Sequence, residues 1–188
     1  MIPQKLLDEV VAVARQQAVD FGTPPFPQTE YISIQGQNLV KKHGANGEIV
    51  LVGTYLMDVM LGKALAEGQR EEHIQWGEDI ATKLFLQYSE MTIDEKENIL
   101  LCIRQHHGGV QFQTIEAEIC CNADCYRFLS VQGMLIGLTN SRKMPIDALV
   151  KLYKEKVEEK WHALTLPDCK TALLPQYQAI AAMLRAFV

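Results

Sequence analysis

Apolar residues recur at three- and four-residue spacing along most of the chain, and this spacing is typical of amphipathic helices. In the first such segment, Leu6, Val10 and Ala14 share one face. Helices are predicted in this way over residues 3–19, 28–43, 47–62, 71–88, 92–107, 116–131, 145–161 and 170–188. No segment alternates as a β-strand would. The pattern therefore predicts an all-α chain in which consecutive helices pack through short connections.

Glycine, proline and capping residues predict where these helices begin and end. The segment 22–27 contains three prolines and breaks the first helix. Gly44 stands in the usual place of a C-terminal cap. Thr92 and Glu95 have the spacing of a capping box, which predicts a helix start at Thr92. Residues 139–143 are polar and predict a loop, and Pro167 marks a break before the last helix.

The segment 47–62 differs from the others because its apolar residues run almost all the way round the predicted helix, as in a buried helix. One carboxylate, Asp58, lies in the middle of it. A buried acid is costly unless a metal ion, an arginine or a histidine meets it. We therefore predict that residues from elsewhere in the chain converge on Asp58. The candidates are His73, His106, His107 and Asp124.

Each candidate also has an ordinary structural explanation that the sequence leaves open. Asp58 could accept a hydrogen bond from the backbone or from Tyr55, and His73 could lie on a helix surface. The pair His106–His107 suits a helix C-terminus, where the helix dipole favours positive charge. Asp124 could cap a neighbouring helix. Taken together, however, imidazole and carboxylate groups are the ligands that suit Fe, Mn, Zn or Ni.

The composition is that of an ordinary globular protein. The chain has 188 residues, of which 48% are hydrophobic and 22% charged. This length suggests one domain spanning residues 1–188. The formal net charge of -5 argues against a nucleic acid polymer as partner, because phosphate backbones select basic surfaces. A homo-oligomer is compatible with these values.

The cysteines and the N-terminal segment bear on the cellular compartment. The five cysteines form no disulfide-like framework, and no second ligand pair stands at zinc-site spacing from residues 120–125. Structural thiols are therefore favoured over a zinc site. The N-terminal segment is amphipathic and charged, unlike a secretory signal. We also expect no apolar run to be long enough to span a bilayer. We expect a cytoplasmic protein with no membrane partner.

Four short motifs occur in a characteristic order. They are Asp58 within the apolar segment, His73-x-x-x-Gly77, Ile103-x-x-His106-His107 and Asn122-Ala-Asp124-x-x-x-Phe128. This order resembles the HD-domain superfamily, which is named for a His-Asp dipeptide and comprises largely metal-dependent phosphohydrolases. The resemblance covers residues 28–138 and implies an HD-domain-like helical bundle as the core. Residues 1–27 would form an N-terminal helix and proline-rich turn, and 139–188 would form C-terminal helices packed on the core.

The chain departs from the pattern of that family at two positions. The signature His-Asp is Met57-Asp58 here, and Gln28 stands at the place of the first histidine. Methionine and glutamine are poor ligands for these metals. By this resemblance, one of the family's metal sites would retain only two of its ligands in this chain, Asp58 and Asp124. Gln28 and Met57 would remain beside the ligands or the substrate.

A second metal position is implied by the same resemblance, and it keeps Asp58, His73 and His106. The family therefore implies one divalent ion rather than two, held by these residues with Asp124. Fe, Mn, Mg, Zn and Ni are not distinguished. His107 would orient a ligand or touch the substrate, and no catalytic residue is assigned.

Basic side chains are candidates for holding a phosphate group in such a site. They are Lys63, Arg104, Arg127 and Lys143. Three interpretations stay open. The first is a metal-dependent phosphohydrolase that acts on a nucleotide or another small phosphate ester. The second is a catalytically degenerate module that binds a small phosphorylated ligand or has a regulatory role, and the third is a purely structural helical protein with a hydrogen-bonded Asp58.

Overall fold

Ten α-helices and one short 3-10 turn make up the regular structure of the described residues, 1–141 and 144–187 of a computed structural model. No strand occurs in this part of the chain, which confirms the predicted all-α class. The helices are α1 (Gln4–Phe21), α2 (Phe26–His43), α3 (Gly47–Leu56), α4 (Leu61–Ala66), α5 (His73–Phe85), α6 (Ile93–Gln105), α7 (Ile115–Leu129), α8 (Val131–Asn140), α9 (Ile146–Ala163) and α10 (Pro167–Ala186), and the 3-10 turn is Arg70–Glu72. The predicted loop residue Lys143 lies outside the described residues.

Most of the predicted helix ends agree with the structure. Gly44 closes α2 in the left-handed conformation, with a φ of 69°. Thr92 begins α6 through a reciprocal capping box with Glu95, as their spacing predicts. Helices α2 and α10 start earlier than expected, because Pro27 and Pro167 are accommodated in the first turn instead of breaking the helix. The predicted loop at 139–143 starts later, since α8 includes its first two residues.

The apolar segment 47–62 is not one continuous helix, so this prediction is wrong. Helix α3 ends at Leu56 and α4 begins at Leu61, and tight turns connect them. In these turns the Val59 amide donates to the Leu56 carbonyl, and the Leu61 amide donates to the Asp58 carbonyl. Asp58 therefore lies in a break between two helices. Hydrophobic periodicity does not reveal this break, because the residues on both sides of it are equally apolar.

The stretch Gly47–Ala66 also corrects the expectation that no apolar run is long enough to span a bilayer. Its 20 residues and mean hydropathy of 1.6 pass that test by length and composition. However, 72% of its apolar window is buried inside the protein. Such burial is typical of a core helix, so the stretch is weak support for a membrane span.

Helix α7 positions charged groups inside the bundle. It packs against α2, α3, α6, α8, α9 and α10, and most of its residues are buried. Asp124 and Arg127 are buried along with its apolar side chains. The break after α3 places Asp58 beside these two residues, and its carboxylate contacts the guanidinium of Arg127. The interior of the protein therefore contains a set of charged side chains as well as an apolar core.

Helix α3 approaches α6 and α7 closely at Gly53. A Cβ atom added at this glycine would lie 2.6 Å from Cys102 Cβ and 3.0 Å from Cys120 Sγ. Both cysteines are buried, as are the other three, and all five are free thiols. The close contact between these helices therefore depends on the absence of a side chain at position 53.

Gly53→Ala is expected to destabilise the protein by about 1–3 kcal/mol, because the added methyl group overpacks a contact between three helices. Urea unfolding measures the change. Gly47→Ala is the matched control, since its added Cβ would meet the flexible Gln37 side chain at 3.1 Å. We expect no destabilisation there. An equal loss in both variants would contradict the close approach at Gly53.

Candidate metal centre

Four side chains from three separate elements meet beside the break between α3 and α4. They are Asp58 from the turn, His73 from the start of α5, and His106 and His107 from the residues that follow α6. One ligand atom from each lies within 4.8 Å of the others. His107 is half-buried, and the other three are buried. The structure thus brings together four of the five residues that the sequence predicts to converge, and Asp124 belongs to an adjoining network.

Two of the histidines are oriented by backbone carbonyl groups. His73 Nδ1 lies 2.6 Å from the Arg70 carbonyl oxygen, and His106 Nδ1 lies 2.7 Å from that of Ile103. A carbonyl oxygen only accepts, so each Nδ1 carries the hydrogen and donates it. In the neutral ring, the lone pair is then on Nε2. Second partners of this kind commonly fix the orientation of metal-binding histidines.

Both Nε2 atoms face the same oxygen of Asp58. The distances to Asp58 Oδ1 are 3.3 Å from His106 and 3.6 Å from His73. Among the described residues, Asp58 Oδ1 and His106 Nε2 have no hydrogen-bond partner although both are buried. Unpaired buried polar atoms are costly, and lone pairs that face a carboxylate oxygen repel it. A cation between these three atoms would satisfy all of them.

The spacing of these atoms also fits a metal ion. Ligand atoms at about 2.1 Å from a tetrahedral ion lie about 3.4 Å apart. The observed separations of 3.3 and 3.6 Å are close to this value. Imidazole nitrogen and carboxylate oxygen are suitable donors for Fe, Mn, Zn or Ni. Asp58, His73 and His106 therefore fit one divalent ion in chemistry, and both distances to Asp58 Oδ1 fit its spacing.

His107 has a different role in this arrangement. Burial, together with the neighbouring His106 and Lys160, lowers the pKa of His107 to about 2, so its ring is neutral. Lys160 Nζ, which only donates, lies 3.5 Å from His107 Nδ1. His107 Nε2 lies 3.1 Å from His73 Nε2, the atom that also faces Asp58 Oδ1. His107 thus connects the histidine cluster to Lys160.

A chain of ion pairs adjoins the cluster. Arg127 places Nη1 2.8 Å from Asp58 Oδ2 and Nη2 3.2 Å from Asp124 Oδ1. Lys160 Nζ lies 2.6 Å from Asp124 Oδ2. Arg127 and Asp124 are three residues apart on α7, and Lys160 comes from the neighbouring α9. Both carboxylates are therefore neutralised by cations of the protein itself.

Burial and ion pairing act in opposite directions on these groups. Burial alone would raise the pKa of the Asp58 carboxyl, but the guanidinium of Arg127 holds this pKa well below its usual range. The pKa of Asp124 is likewise lowered against the effect of burial, by Arg127 and Lys160. Asp124 in turn raises the pKa of Lys160 above its usual value, although burial opposes this. All of these groups are therefore charged at neutral pH.

The position that the family resemblance assigns to a first metal does not fit a metal ion here. Met57 is buried and offers only a thioether. Gln28 is also buried, and its Nε2 lies beside Gly137. Both carboxylates of this position, Asp58 and Asp124, already contact the guanidinium of Arg127. This position thus contains the guanidinium of Arg127, and it lacks the imidazole ligands that a metal ion would need.

Two of the basic residues predicted to hold phosphate lie elsewhere. Lys63 pairs with Glu67 and lies over the Trp76 ring. Arg104 pairs with Glu78 and Glu97 on the surface. Neither has a contact with the histidine cluster among the described residues, so the structure does not support them as phosphate ligands. Arg127 does reach the site, but both of its terminal nitrogens are occupied by carboxylates.

Lys160 is a site residue that the sequence analysis missed. The buried face of α9 consists of Leu149, Tyr153, Val157, Lys160 and Ala163. A lysine in the apolar stripe of an amphipathic helix predicts a buried charge that needs a partner. This signal was available in the sequence, but the acid that pairs with Lys160 could not be identified from it.

The fold and the site together define an all-α protein with a buried aspartate–histidine cluster that is suited to a metal ion. No family model and no curated protein matches the chain. Two solved structures do share its fold. One is described as a predicted HD superfamily hydrolase from an uncultured Thermotogales bacterium, with a TM-score of 0.68 and 12% identity over 96% of this chain and 90% of that one.

The other solved structure is of a Lactobacillus plantarum protein. It has a TM-score of 0.73 and 17% identity, and the match covers 100% of this chain and 97% of that one. These likenesses show that the chain has an HD-domain-like fold, as the four sequence motifs predict. At this level of identity they establish the fold alone.

Proposed function

We propose that this protein is a metal-dependent phosphohydrolase that uses one divalent ion and acts on a small phosphorylated molecule such as a nucleotide. The observation that carries this proposal is the unsatisfied pair of buried atoms, Asp58 Oδ1 and His106 Nε2, with His73 Nε2 beside them. The likeness in fold to a predicted HD superfamily hydrolase supports the same class of reaction.

Each residue of the cluster has a defined part in this proposal. Asp58, His73 and His106 hold the ion, and the Arg70 and Ile103 carbonyl groups keep the two rings in the required orientation. When bound, such an ion polarises a phosphoryl oxygen and lowers the pKa of a bound water from 15.7 to about 7. Asp124 supports the site indirectly, because its oxygens contact Arg127 and Lys160.

The substrate would approach from the side of His107, which is the half-buried member of the cluster. A surface cavity of about 350 Å³ is formed by the segment that leads into α5, and its lining includes Arg70, Glu71, Glu72 and Trp76. Glu71 and Glu72 make this cavity unfavourable for a phosphate, whereas the Trp76 ring, which has Lys63 over one face, offers the rest of its surface to an organic group. The cavity would therefore hold the organic part of the substrate while the phosphate lies at the cluster.

A second candidate function is a catalytically inactive module that binds a phosphorylated ligand. Arg127 and Lys160 favour it, because they take up the carboxylates of the first metal position. A two-metal site clamps both the attacking and the leaving oxygen, and a site with one ion lacks this clamp. In this second case the phosphorylated ligand would be bound without turnover.

Hydrolysis of p-nitrophenyl phosphate tests the proposal. We expect activity with added Mn²⁺ and none in excess EDTA. His106→Gln should reduce the rate by about 100-fold or more, because it removes one of three ligands. His162→Gln is the matched control, since His162 is an exposed histidine on α9. Metal binding without any hydrolysis would contradict the enzymatic proposal and favour the second candidate.

A further inference from the structure

Two cations are buried against the carboxylates of Asp58 and Asp124. Arg127 is 5% exposed and Lys160 is 0% exposed. Arginine and lysine are almost never buried to this extent unless they are paired. Between them they contact three of the four carboxylate oxygens, Asp58 Oδ2, Asp124 Oδ1 and Asp124 Oδ2. Only Asp58 Oδ1 is left to face the histidines.

We propose that Arg127 and Lys160 replace a metal ion at this pair of carboxylates, so that this half of the site is complete without metal. Two carboxylates and two cations balance in charge. A metal ion added between the same oxygens would collide with the guanidinium nitrogens of Arg127, which already contact both carboxylates.

The surroundings of the carboxylate pair support this assignment. Met57 and Gln28 stand where the family resemblance calls for two imidazole ligands, and neither is a suitable ligand for these metals. The void that borders Asp58, Arg127 and Met57 has a volume of only about 10 Å³, which corresponds to at most about one water molecule. This inference does not depend on whether the histidine cluster binds a metal.

A double-mutant cycle in excess EDTA tests the proposal. Lys160→Met and Asp124→Asn should each lower the thermal unfolding midpoint by about 10 °C, since each leaves a buried charge without its partner. The double variant should recover at least half of the summed loss, because neither charge remains. Lys151→Met is the matched control, an exposed lysine on the same helix, and should change the midpoint by less than about 2 °C.

The cycle remains decisive if the single variants fail to fold, because a folded double variant would then be the expected result. Single variants within 2 °C of the unmodified protein, or a double variant that shows the full summed loss, would overturn the proposal. A Mn²⁺ titration of the double variant adds a second readout. Affinity within about tenfold of the unmodified protein is expected, whereas a larger loss would show that Asp124 is a metal ligand. If the unmodified protein binds no Mn²⁺, the proposed function fails and the EDTA cycle alone decides this inference.

Discussion

Asp58→Asn is expected to weaken divalent-metal binding by about 100-fold or more and to abolish measurable phosphate-ester hydrolysis. Asp58 supplies the one oxygen that faces both His73 Nε2 and His106 Nε2. Loss of a group that only orients a metal ligand typically reduces metal affinity 10- to 100-fold. Loss of a ligand itself should therefore reduce metal affinity by at least about 100-fold. Calorimetric titration with Mn²⁺ measures the affinity, and the asparagine keeps the size of the side chain.

Asp168→Asn is the matched control for this experiment. Asp168 also contacts a histidine and a lysine, His43 and Lys42, but at the surface of the protein. Its replacement should leave Mn²⁺ affinity and activity unchanged. If Asp58→Asn retained full metal affinity, or if both variants lost affinity equally, Asp58 would not be a ligand and the assignment of the centre would fail.

Arg127→Met is expected to produce the largest loss of stability of any single change at the site, about 3–5 kcal/mol. It leaves the carboxylates of Asp58 and Asp124 close together in the interior, with Lys160 as their one remaining close cation among the described residues. Removing one partner of a buried ion pair typically has an effect of this size, because the remaining charge stays buried. Chemical denaturation in excess EDTA measures the free energy of unfolding.

Arg104→Met provides the comparison, since Arg104 also contacts two carboxylates. Its partners are Glu78 and Glu97, and its side chain is 45% exposed. Water and salt screen such pairs, so we expect a loss of less than about 1 kcal/mol. Equal losses for the two arginines would mean that the buried network contributes no more than a surface ion pair, and would contradict the role assigned to Arg127.

The fold class and the convergence on Asp58 could be predicted from the sequence. Helical periodicity and the caps at Gly44 and Thr92 locate most of the helices, because these signals are local. A carboxylate within an apolar segment indicates a buried charge that needs partners. The histidines at the start of α5 and after α6 are then the natural candidates, and the structure brings them to Asp58.

The rest of the site depends on contacts between residues distant in sequence. The break around Asp58 arises where α3 and α4 pack separately, and its flanks are too uniformly apolar to reveal it. Lys63 and Arg104 look like phosphate ligands by residue type, but long exposed side chains pair with the nearest carboxylates. The partner of Lys160 is Asp124, 36 positions earlier on another helix, and no local pattern identifies it.

The most direct test of the metal centre is anomalous X-ray diffraction from crystals grown with Mn²⁺ and measured near the manganese absorption edge. We predict one peak per chain, within about 2.3 Å of Asp58 Oδ1 and of the Nε2 atoms of His73 and His106. No peak at these atoms, or a peak between Asp58 and Asp124 where Arg127 lies, would contradict the account.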